Sequence, residues 1–240
     1  MKMKYNAFKV FASAAVIINL AIPAVIFAQA NVCNKISDLS SKIGQRMDNL
    51  SAKIEEKVSQ REEIIKNRWQ KRDERRTENR TEWDANRAEH IIKLEAKATT
   101  DAQKQAMAQF KETVNAAISA RRVAIDSAIE IFRKNVESAI TAKKTKVDEA
   151  ENTYRNAVKT AYKKAQTDCA SGVEPAQIRT ALKADLKSAK EKFNSDREII
   201  EKMKDSMETL IASRKQAVEK AIQDFKTAME KARTDLRAAF

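Results

Sequence analysis

Two cysteines, one histidine and a run of arginines are the residues of this 240-residue chain whose types could do chemistry. Cys33 and Cys169 form an even pair. In an oxidising compartment such a pair predicts a disulfide, with two free buried thiols as the competing reading. A zinc site needs four nitrogen or sulfur donors at close spacings, and His90 is distant from both cysteines, so no metal centre is expected. With only two glycines there is no phosphate-cradling loop, and no nucleophile elbow or ligand cluster occurs. The sequence therefore predicts no enzyme, no cofactor and no small-molecule substrate.

The arginines are the most unusual local feature. Arg72, Arg76, Arg80 and Arg87 occupy positions that elsewhere along the chain hold Ile, Leu or Val. If the chain folds back on itself, Arg121 and Arg214 fall at comparable height. These six form a candidate anion-binding set, because crowded cations attract acidic groups. The plainer reading has arginine stems covering an apolar seam while their heads pair with Asp73, Glu74, Glu78, Glu82 and Asp84 or reach water. Trp69 and Trp83 lie on the same apolar columns and are expected in the core. The dibasic pairs Arg121-Arg122, Lys143-Lys144 and Lys163-Lys164 sit among acids and fit a solvated face.

Positioning these residues falls to helices. Two glycines and two prolines leave few turn-formers, and 34% charged with 5% aromatic residues is the balance of long coiled helices. Apolar residues recur at steps of three, four and four, an eleven-residue period that predicts a nearly straight or slightly right-handed coil. In the first segment the columns are Ile36, Met47, Val58, Trp69, Arg80, Ile91; Leu39, Leu50, Arg61, Arg72, Trp83, Leu94; and Ile43, Ile54, Ile65, Arg76, Arg87, Ala98. Thr100 and Gln103 suggest a capping box where the period restarts. Gly172 and Pro175 mark a tight turn. A last segment carries Ile178, Leu182, Leu186 and Phe193, shifts register, and continues through Ile211, Val218, Ile222 and Phe225. The expected fold is all-α: three long helices over about 34–98, 101–169 and 175–240, forming an elongated antiparallel coiled-coil bundle with eleven-residue periodicity.

Ahead of it, Lys2, Lys4 and Lys9 precede an apolar run from Val10 to Ala28, followed by Ala28-Gln29-Ala30. This is the pattern of a signal peptide spanning 1–30, cleaved after Ala30, with an uncleaved membrane anchor as the rival reading. Residues 31–240 then form one elongated helical domain. The net charge of +13 falls to +10 without the three leader lysines, leaving 44 basic residues against 34 acidic ones. The expectation is an exported structural or interaction protein, periplasmic, cell-surface or secreted, binding an acidic protein, envelope polymer or other polyanion. Self-association through helix pairing would also cover the seams. A holdase chaperone for exported proteins and a nucleic-acid or anionic-lipid binder are the alternatives.

Overall fold

The computed structural model describes residues 32–202 and 204–240. The leader over 1–30, with its cleavage residues Ala28 and Ala30, lies outside the described residues. Among the described residues there are helices and no strand: α1 (Val32–Glu95), α2 (Asp101–Ala170), α3 (Pro175–Lys202) and α4 (Lys204–Arg237). The segment expected as a single helix over 175–240 is thus described as α3 and α4, with residue 203 between them outside the description. No described helix is long and apolar enough to cross a membrane.

Local chemistry sets the ends of these helices. Before α2, the Gln103 amide donates to the Thr100 hydroxyl at 3.2 Å while the Gln103 side-chain oxygen accepts from the Thr100 amide at 3.2 Å. This reciprocal pair satisfies amide donors that a helix start leaves open. At the other end of α2, the Val173 amide donates to the Asp168 carbonyl at 3.0 Å and the Gly172 amide to the Cys169 carbonyl at 3.2 Å. That double closure requires a left-handed residue, and Gly172 supplies it at φ 73°. Pro175 then opens α3, where its missing N–H costs nothing.

The described chain groups into two compact units. Unit 1 takes in the described residues up to Lys66 and those from Thr141 to Lys204; unit 2 takes in Asn67–Ile140 and Asp205–Phe240. In unit 1, α1 and α2 run antiparallel. Cys33 is bonded to Cys169 with Cα atoms 5.8 Å apart, and farther along α1 Asp48 pairs with Arg155 and Ser51 bonds Glu151. α3 also packs antiparallel against α2: Tyr154 meets Phe193 at 5.1 Å between ring centroids, and Lys164 meets Asp185 at 3.4 Å. Val32, Ile36, Leu39, Ile43 and Met47 keep the four, three, four, four spacing and share one apolar cluster with Tyr162, Ile178 and Leu186. Each such side chain contributes about 1.5–3 kcal/mol on burial.

Unit 2 is built differently. Its buried cluster is Val114, Ile118 and Ala232, with Phe110, Phe225 and Met229 packed against it. Ile222 is 38% exposed, while Ala221 beside it is buried. Near that point, α4 turns a neighbouring small residue inward in place of the expected isoleucine.

Candidate functional site

Where α1 of unit 2 lacks aliphatic side chains, arginines and aspartates meet across the helix pair. Asp73 lies against Arg133 of α2 at 2.6 Å and against Arg76 of its own helix at 3.0 Å. Asp126 of α2 accepts a bidentate contact from Arg80 at 2.8 and 2.9 Å, with the Arg76 Nε at 3.4 Å. Asp84 accepts from Arg122 at 2.9 Å and from Arg87 at 2.6 Å. Bidentate arginine–carboxylate forks fix orientation as well as distance. The Arg133 guanidinium also stands 5.3 Å from the Trp69 ring centroid.

The four contacts Asp73–Arg133, Arg80–Asp126, Asp84–Arg122 and Lys111–Glu95 advance by seven, four and eleven residues on α1 and retreat by the same amounts on α2. Within this unit α1 and α2 therefore repeat at the same rate and run antiparallel.

The candidate arginines take three kinds of place. Arg76, Arg80 and Arg87 are half-buried and held by the aspartates. Arg121 and Arg214 lie on aromatic rings, the first 4.0 Å from the Phe225 centroid and the second 4.4 Å from that of Phe132. Such contacts are attractive because the ring face is electron-rich.

Arg72 and Trp83 correct the expected columns: both are exposed, Trp83 by 56%. The half-covered positions beside them are Asp73 and Asp84. A one-residue change of register turns these short acids toward α2, where Arg133 and Arg122 meet them. Asp126, Arg122 and Arg133 were not in the sequence-derived set. Their signal lay in the antiparallel pairing itself, which places Arg133, Asp126 and Arg122 opposite Asp73, Arg80 and Asp84.

The electrostatics follow from the contacts. The Arg122 hydrogen bonds, assisted by Arg87, hold the Asp84 carboxyl down at about 2 against the opposing effect of burial. Hydrogen bonds from Arg133, with Arg76 adding to them, lower the Asp73 carboxyl from its ordinary value, and those from Arg80, again with Arg76, lower Asp126. Burial lowers the Arg121 guanidinium, and so does the positive field of Arg122, Arg80 and Arg87.

A depressed carboxylate contributes stability that is complete above its unfolded value, near 3.8, and lost as pH falls through its folded value. Acid titration of the full chain, followed by circular dichroism, should therefore show stability falling between about pH 4 and pH 2. The triple variant Asp73→Asn, Asp84→Asn, Asp126→Asn should be less stable at neutral pH and have a flatter slope in that window. An unchanged slope would remove these contacts from the stability of the fold.

Among the described residues, no group of three or more His, Cys, Asp or Glu could hold a metal ion. Beside the arginine layer, a groove of about 440 Å³ opens between α1, α2 and α4, all within unit 2. No family model, curated protein or solved structure matches this chain.

Proposed function

We propose that this is an exported, non-enzymatic protein, an antiparallel coiled-coil bundle with eleven-residue periodicity whose cationic flank docks acidic macromolecules. The matched advance of seven, four and eleven residues along α1 and α2 of unit 2 supports the periodicity. Export rests on the leader pattern over 1–30, and the Cys33–Cys169 disulfide is compatible with it.

The observation that carries the partner class is a charge imbalance. Arg76, Arg80, Arg87, Arg122 and Arg133 share Asp73, Asp84 and Asp126, Arg121 lies near them on the Phe225 ring without a carboxylate of its own, and exposed Arg72 stands beside them. The positive excess is partly shielded from water, so its field reaches outward with less screening than that of a lone surface lysine. Docking is then by presentation of charge, without covalent chemistry.

Heparin binding to the processed protein tests this. Affinity should fall linearly in the logarithm of salt concentration, by at least about tenfold between 50 and 200 mM, and Arg72→Gln should reduce the slope by about one. Absence of binding at low salt rejects the reading.

The exposed Trp83, Ile92, Val123 and Ile131 of unit 2 favour a second reading, a holdase that cradles unfolded exported clients. A holdase would suppress client aggregation through apolar contacts that persist in moderate salt, which polyanion docking does not do.

A further inference from the structure

The groove of unit 2 has walls and a rim of different chemistry. Its walls are Ile91 from α1, Phe110, Val114 and Ile118 from α2, and Phe225 and Met229 from α4. Its rim carries Arg87, Arg121, Arg233 and His90, and no carboxylate lines it. Arg87 is engaged by Asp84 at 2.6 Å, whereas Arg121 and exposed Arg233 enter no ion pair among the described residues. Trp83, largely exposed, stands at the edge.

We propose that this groove binds a small amphipathic anion, an alkyl-chain carboxylate whose tail lies along the apolar walls and whose head is held by Arg121, at the end of the groove where that guanidinium rests on Phe225. The charge of the rim selects the head group, since an apolar cleft with cations and no acids disfavours a cationic amphiphile. The length of the groove selects the size. The lining strips Trp83–Ile91 and Phe225–Arg233 each cover little more than two helical turns, about 12 Å at ~1.5 Å per residue, and Phe110–Arg121 covers three, about 16 Å. A protein partner needs roughly 800 Å² on each side, more than such a cleft offers, whereas one alkyl chain fits it. The ligand is bound, not transformed; its seat shares Arg87 and Arg121 with the cationic flank proposed above, and the salt dependence of the two bindings tells them apart.

The probe is laurate below its micelle concentration, titrated into the full disulfide-bonded chain carrying Trp69→Phe, which leaves Trp83 as the reporter. Laurate should saturate at one per chain and shift Trp83 emission to shorter wavelength, and binding should persist in molar salt because tail burial is not screened. Dodecyltrimethylammonium, with the same tail and the opposite head, should bind at least about tenfold more weakly. Arg121→Gln should weaken laurate roughly tenfold, the expected loss of a charged hydrogen bond, whereas Arg233→Gln, eight residues along α4 from Phe225, should leave the affinity within about twofold. Equal affinity for the two head groups, non-saturable uptake, or full affinity in Arg121→Gln overturns the proposal. So does an acidic amphipathic peptide that shifts Trp83 while laurate does not.

Discussion

Reducing the Cys33–Cys169 disulfide should destabilise the protein by about 5 kcal/mol, the largest effect expected of any single chemical change to the chain. The bond closes a loop with a sequence separation of 136, and in the chain-entropy description the stabilisation grows with the logarithm of loop length. Cys33 stands in the first turn of α1 and Cys169 in the last turn of α2, and Cys169 packs against the apolar cluster of unit 1. The folded partners are therefore held together by side-chain packing whether or not the sulfurs are joined, and the bond acts mainly on the unfolded ensemble. For a chain of this size a loss of about 5 kcal/mol lowers the melting temperature by roughly 10–20 °C. Thermal melts with and without reductant read this directly. The double variant Cys33→Ser, Cys169→Ser should melt where the reduced protein does and be indifferent to reductant. If oxidised and reduced protein melt together, the bond does not stabilise the fold.

The second large effect is expected from the core of unit 1. Tyr162 and Ile178 are the largest fully buried side chains, at 2% and 1% exposure, and both belong to the cluster shared by α1, α2 and α3. Deleting the ring in Tyr162→Ala leaves a cavity that helices anchored by Leu186, Val158 and Ile36 fill only in part. Such losses run at about 3–5 kcal/mol. Tyr162→Phe keeps the ring and should retain most of the stability. Urea unfolding monitored by circular dichroism reports the whole chain. Tryptophan emission reports unit 2, because Trp69 and Trp83 both lie there. A Tyr162→Ala protein with an unchanged dichroism midpoint would show that this cluster does not hold unit 1 together.

The contrast between the units explains which features the sequence disclosed. Aliphatic positions such as Ile36, Met47, Val114 and Ile178 could be read from spacing alone, because burial of an apolar side chain needs no particular partner. Thr100 and Gln103 were legible for the same reason: a capping box is closed within four residues. So was the turn at Gly172, where the left-handed backbone favours the one residue without a Cβ. The arginine layer was legible in its cations and not in its anions. Periodicity assigns an aspartate outward and a tryptophan inward, and it placed Arg72 and Trp83 on the seam accordingly. Asp73 and Asp84 face α2 because arginines some 40 to 60 residues away in sequence meet them, and spacing within one helix carries no record of those partners. The same limit explains Ile222, where the neighbouring Ala221 is buried instead. The groove of unit 2 was not legible, since its walls are common core residues and its character arises from what three helices leave uncovered.

An aliphatic seam of fixed period is nearly indifferent to sliding, since moving one helix past another by a turn presents much the same surface. The ionic layer removes that ambiguity in unit 2. Shifting α1 four residues in one direction brings Arg80 opposite Arg122; shifting it four the other way sets Asp84 opposite Asp126. Either slip trades attraction for like-charge repulsion, so these contacts act as the notches of a key, selecting one alignment from several that greasy side chains alone would tolerate.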